Sequence, residues 1–133
     1  MAFIKIIDDD KEFALNLAKN LLKEGHIVTV LNSTEKALDD LLENKPDILI
    51  LDVMFPENPV AGFELARRIR QRREIANLPV ILLTSVNQEF PMDFSAHDID
   101  PNWMPVQDFL EKPVKINKLM KKIDALLNKS KQT

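Results

Sequence analysis

Short apolar runs recur along the chain, each bounded by polar or turn-forming residues. Phe3 to Ile7 is the first, and it runs into three aspartates in the stretch IIDDDKEF. Ile27 to Leu31 is the second. DILIL at 47–51 holds four consecutive apolar residues, too few for a helix, and PVILL at 79–83 matches it. Runs apolar on both faces predict strands covered on both sides, the habit of parallel sheets. DFLE at 108–111 reads as a fifth strand.

Between these runs the period changes. Phe13, Leu17 and Leu21 recur every four residues, with Ala14, Ala18 and Leu22 widening the stripe. That spacing predicts a helix with Asp10 as N-cap and Gly25 as its stop. A second helix is predicted through Ala37, Leu38, Leu41 and Leu42, capped by Asn32 or Ser33, with Glu35 at capping-box spacing from Asn32 and Pro46 just beyond its end. Gly62 to Glu74 sets Leu65, Ala66 and Ile69 on one face, and Ile116, Leu119, Ile123 and Leu126 mark a last helix. Strands alternating with helices of this length predict an α/β domain built from βαβ units, a doubly wound parallel sheet. No repeat, low-complexity tract or linker interrupts the pattern, so one domain over 1–133 is expected, with a frayed tail at NKSKQT.

Composition narrows the picture only a little. The chain has no cysteine, which removes disulfides and thiolate metal sites. No apolar run reaches the ~20 residues of a membrane span, and no secretory leader precedes the first strand. A cytoplasmic protein without membrane attachment is expected. The net charge of −3 argues against nucleic acid as a partner, and RRIRQRR at 67–73 reads as a solvated helix face.

The chemistry concentrates at strand ends, where sites form in such sheets. Asp8 and Asp9 end the first strand, Asp52 the third and Thr84 the fourth, while Lys112 follows the fifth. Like charges about 4 Å apart cost roughly 4 kcal/mol at an effective dielectric near 20, so the aspartates call for a cation. A pocket of two or three carboxylates suits Mg²⁺. Lys112 would supply a fixed positive charge, Thr84 a hydroxyl donor, and Asp52 the nucleophile for a transferred phosphoryl group. Taken singly, each residue has a plainer reading: a solvated turn and cap for Asp8 to Asp10, a loop carboxylate for Asp52, a cap for Thr84, a solvated amine for Lys112. Those plainer readings do not explain a common location.

IIDDD, DILILDVMFP, GFELARRIR, PVILLTS and DFLEKPV together resemble the receiver domain of response regulators in two-component signalling, over essentially the whole chain. The resemblance implies a flavodoxin-like (βα)5 fold with strand order 2-1-3-4-5. It makes Asp52 the phosphoacceptor, Asp9 a direct Mg²⁺ ligand, Asp8 a ligand mainly through water, and the Met54 carbonyl a further ligand. Thr84 would bond a phosphoryl oxygen, Lys112 would pair with the acyl phosphate, and Phe109 would be the switch aromatic. A cis peptide is expected before Pro113. The implied partners are a sensor histidine kinase or a phosphotransfer protein, and an unidentified downstream protein, with a homodimer left open. A domain of this kind assists its own phosphorylation and dephosphorylation without turning over a separate substrate. Met1 stands directly before the first strand, so a stand-alone receiver with no effector domain is expected.

Two stretches depart from the family pattern. MFPENPVAG, after Asp52, is longer than usual and reads as a loop insertion beside the site. NQEFPMDFSAHDIDPNWMPVQ, residues 87–107, stands where a fourth crossover helix belongs but carries Pro91, Pro101 and Pro105. Proline inside a helix costs about 3 kcal/mol or more, so that helix is expected to be short, displaced or replaced. Phe90, Phe94 and Trp103 would pack on the sheet or form a partner surface, and His97 reads as a surface residue.

Three other readings compete. An FMN binder would need small and hydroxyl residues after the first strand, where this chain has three anions. A haloacid-dehalogenase-type phosphohydrolase would need a second Asp at position 54, which is Met. A pseudo-receiver scaffold that is never phosphorylated is the remaining alternative. Met54 and Val86 flank the expected phosphoryl position, and neither side chain can orient water. Slow loss of phosphoryl from Asp52 is therefore expected; decay within minutes in the absence of a phosphatase, followed by intact mass, would count against it.

Overall fold

The computed structural model describes residues 2–52, 61–85 and 108–131. Five strands, β1 (Phe3–Ile7), β2 (Ile27–Leu31), β3 (Ile48–Asp52), β4 (Val80–Ser85) and β5 (Asp108–Lys112), form one sheet in the order β2-β1-β3-β4-β5. All four pairings are parallel. The helices are α1 (Lys11–Lys23), α2 (Ala37–Glu43), α3 (Ala61–Gln71) and α4 (Ile116–Lys131), with a 3₁₀ turn at Arg73–Ile75 after α3. The expected class, sheet and strand order are all present. The insertion at 87–107, with its aromatics, and residues 53–60 after Asp52 lie outside the described residues, while Ala61 and Gly62, expected in that loop, open α3.

Alternation along the strands feeds two cores, one on each face of the sheet. In β3, Ile48 and Ile50 join Leu17 and Leu21 of α1 and Leu119 and Ile123 of α4. Leu49 and Leu51 point the other way, to Leu41 of α2 and Leu65, Ala66 and Ile69 of α3. Every residue of β3 is buried: Ile48 to Leu51 as the apolar run predicts, and Asp52 with them. At about 1.5–3 kcal/mol per fully buried large side chain, this double burial sets the strand register, because a slip by one residue would exchange the two faces. β2 departs from the expectation of cover on both sides: it is an edge strand, and Ile27 is 51% exposed.

The first helix begins and ends as its caps direct. Asp10 Oδ1 accepts from Phe13 N–H at 3.0 Å. At the other end Gly25 adopts φ +90°, Gly25 N–H donates to Leu22 O and His26 N–H donates to Leu21 O. These two bonds make a Schellman motif, whose left-handed residue favours glycine. The second helix differs from expectation. It starts at Ala37 behind Lys36, which has φ 61° and makes no side-chain cap, so neither Asn32 nor Ser33 caps it. Asn32 instead donates its side-chain amide to the Asp8 carbonyl at 2.9 Å.

The basic segment after α3 begins is not uniformly solvated. Arg70 is half-buried and donates to Ala76 O at 3.1 Å and Leu78 O at 2.6 Å, bracing the approach to β4. Burial pulls its guanidinium below the ordinary arginine value.

Lys5 interrupts the apolar run of β1 and is nonetheless 3% exposed. Its ammonium lies 2.6 Å from Asp40 Oδ2 on α2. The two meet as an ion pair, outside the angles of a hydrogen bond. Removing one partner of such a pair strands a buried charge, whereas replacing both with apolar groups does not. Asp40→Ala is therefore expected to lower unfolding free energy by about 3 kcal/mol, and Lys5→Met/Asp40→Leu to recover most of the loss. Urea unfolding checks both; a single-variant cost under about 1 kcal/mol would show that Lys5 finds water instead.

Candidate functional site

The C-terminal edge of the sheet gathers side chains from three strands. Asp8 follows β1 and stays in register beside β2, its N–H donating to Leu31 O at 3.0 Å. Asp52 is the last residue of β3, and Lys112 the last of β5. Asp8 and Asp52 are fully buried, and Asp9 is partly exposed. One carboxylate oxygen from each of Asp8, Asp9 and Asp52 lies within 4.8 Å of the others. Lys112 Nζ stands 3.0 Å from Asp8 Oδ2 and 3.5 Å from Asp52 Oδ1.

Asp8 is held at both oxygens. Oδ2 accepts from Lys112, and Oδ1 accepts from Asp10 N–H at 2.9 Å. Its own carbonyl accepts from Asn32. The turn out of β1 is thus tied to the end of β2, to the cap of α1 and to the far edge of the sheet. These bonds spread the cost of burying a carboxylate, since charge-assisted hydrogen bonds are the stronger kind. Asp9 projects from the same turn with more access to solvent.

Three carboxylates facing one ammonium leave a formal excess of negative charge. The donor set is entirely oxygen, which fits a hard dication such as Mg²⁺ rather than a soft metal. Of the three carboxylates Asp9 is the one open to solvent, and Asp8 already serves two protein donors.

Four of the expected site residues therefore meet. The backbone of Thr84 lies in β4, opposite Glu111, and that of Phe109 lies in β5, opposite Leu82. The side chains of Thr84 and Phe109, and all of Met54, lie outside the described residues. The peptide bond between Lys112 and Pro113 is cis, as expected. Two contributors were not foreseen. Asn32 carried a sequence signal, since it directly follows the strand that neighbours β1. Phe13 packs against the core as its helical stripe predicts, and its ring centroid also stands 4.2 Å from Lys112 Nζ.

The description "Response regulator receiver domain" belongs to a family model that matches residues 4–124. Among curated relatives, the phosphate regulon transcriptional regulatory protein PhoB of Rhizobium meliloti is 34% identical over 128 residues, covering 96% of this chain and 53% of that protein. The transcriptional regulatory protein AfsQ1 of Streptomyces coelicolor is 33% identical over 132 residues, covering 99% of this chain and 54% of its own. The chain thus spans about half the length of the curated relatives it matches. Among solved structures, a response regulator from Chloroflexus aurantiacus superposes with a TM-score of 0.80 at 29% identity, covering 96% of this chain and 98% of that one. The receiver domain of the Francisella response regulator 1452 gives 0.79 at 25% identity, covering 98% and 99%. With its sheet order, its strand-end aspartates and its lysine before a cis proline, the chain belongs to the response regulator receiver domain family.

Proposed function

We propose that Asp52 accepts a phosphoryl group from a phosphohistidine on a sensor histidine kinase or phosphotransfer protein, and that the modified domain is read by a downstream protein. The observation that carries this reading is the convergence of Asp8, Asp9, Asp52 and Lys112 at one sheet edge. An Oδ of Asp52 attacks phosphorus as the P–N bond to the donor imidazole breaks, and the electron pair of that bond returns to the imidazole. Asp9, Asp52 and the Met54 carbonyl would hold Mg²⁺, which would supply neutralising charge for the transferring oxygens.

The residues of the chain do the rest. Lys112 supplies a fixed positive charge beside the attacking carboxylate and pairs with the acyl phosphate that forms. Asp8 holds Lys112 in place and adds negative charge for the cation. The family resemblance assigns Thr84 as donor to a phosphoryl oxygen and Phe109 as the switch aromatic. Transfer exchanges a carboxylate for a larger, more negative group, and a two-state element at the face of β5 and α4 responds to that change. The domain assists its own phosphorylation and hydrolysis.

Partner assignments follow from charge and site. The net charge of −3 supports protein contact over nucleic acid for this segment. Among the described residues no helix is long and apolar enough to cross a membrane. A cytoplasmic setting is proposed with the kinase partner.

Incubation with acetyl phosphate is expected to add one phosphoryl group in the presence of Mg²⁺, with none added when the metal is chelated or in Asp52→Asn. Intact mass and peptide mapping read the result; a stable gain at another residue defeats the assignment to Asp52, and no gain at all favours a scaffold that is never phosphorylated. Metal binding separates the two acidic neighbours. Asp9→Asn is expected to raise the Mg²⁺ dissociation constant about tenfold or more, and by more than Asp8→Asn does, because Asp8 is already engaged by protein donors. Calorimetric titration giving the reverse order would reassign the direct ligand.

A further inference from the structure

Lys112 is flanked by more than carboxylates. The ring centroid of Phe13 lies 4.2 Å from its Nζ, well inside the roughly 6 Å at which an aromatic face attracts a cation. No step of the phosphoryl transfer outlined above uses this ring. We propose that Phe13 is a positioning residue for phosphoryl acceptance, acting through Lys112. The inference rests on the reading of Asp52 as acceptor and extends it to a residue outside the acidic cluster.

A lysine ammonium rides on a flexible four-carbon stem and is strongly hydrated, so it does not hold its place unaided. The Lys112 side chain is 21% exposed, which leaves it a route outward to solvent. Its inward partners are Asp8 Oδ2 and Asp52 Oδ1. Once Asp52 carries the phosphoryl group as an acyl phosphate, one of those partners changes, and the lysine has to follow the phosphoryl oxygens without swinging away. A ring face beside the ammonium takes the place of water there and keeps the charge at the depth of the carboxylates.

The ring is itself fixed to the acidic turn. Asp10 N–H donates to Asp8 Oδ1 at 2.9 Å, and Phe13 N–H donates to Asp10 Oδ1 at 3.0 Å. Phe13 then faces Lys112, and Lys112 returns to Asp8 Oδ2 at 3.0 Å. These four contacts form a closed circuit, so the helix cap sets the ring at a defined place relative to the acid pair. A leucine at this position would fill much of the same space and suit the helix, yet offer no negative face.

The test compares wild type, Phe13→Leu and Phe13→Tyr at saturating Mg²⁺ with acetyl phosphate. Three quantities are read: the rate of phosphoryl gain, the Mg²⁺ dissociation constant, and the NMR shift of the Lys112 ε-methylene, assigned by its loss in Lys112→Arg. Phe13→Leu is expected to slow phosphoryl gain by about threefold to tenfold, to leave metal affinity within about twofold, and to abolish the ring-induced upfield shift. Phe13→Tyr is expected to retain both rate and shift. The proposal is overturned by a wild-type rate in Phe13→Leu, by a tyrosine variant as slow as the leucine one, or by a Lys112 resonance indifferent to the ring. If wild type gains no phosphoryl at all, the reading of Asp52 fails and this inference with it. That result is distinct, because all three proteins then behave alike.

Discussion

Lys112 reaches from the edge strand β5 to Asp8 and Asp52, and the site depends on that span. Buried carboxylates within a few ångströms of one another repel, and burial removes the water that would otherwise screen them. The ammonium between Asp8 and Asp52 is the protein's fixed answer to that repulsion. It is incomplete by design of charge, since Asp9 adds a further anion on the side open to solvent. A site left formally negative by its own residues suits a dication, and under the proposed function an incoming phosphoryl group would find its countercharges already placed.

That span is available only because the sheet is parallel and tightly registered. Asp52 sits opposite Leu83 and Lys112 opposite Ser85, so the strands present their last residues to the same edge. The register is held by alternation: a shift of one residue would move Ile48 and Ile50 into the opposite core. The hydrophobic cores and the acidic edge are therefore one constraint seen from two ends. Lys5 is the exception within it, a charge inside β1 tolerated because α2 brings Asp40 to meet it.

Receiver domains of this family work as switches, and the geometry suggests where the signal enters. Asp8 couples to the end of β2 through Asn32, to the start of α1 through Asp10, and to β5 through Lys112. Under the proposed function a change of charge at Asp52 would act first on Lys112, which is shared between these connections. The ring of Phe13 lies on the same circuit. Such short, charge-dependent links can move between discrete arrangements, whereas the two apolar cores resist gradual deformation.

Much of this was legible in the residues alone. Four apolar runs and the segment DFLE, the change of period between them, and the Asp10 and Gly25 caps specify the elements, because burial on two faces and backbone termini impose local patterns. Aspartates and a lysine at strand ends point to a common edge, because parallel βαβ topology sends every strand's C-terminus the same way. Other features needed the folded chain. Asp40 meets Lys5 only through the packing of α2; Asn32, a candidate helix cap in the sequence, gives its amide to Asp8; Phe13 packs against the core as its stripe predicts and also sets its ring beside Lys112. Each of these is a pairing across 24 to 99 residues of chain, as the partners' positions show. Periodicity and capping act within one turn or one strand, while such long-range contacts exist only once packing brings separate elements together.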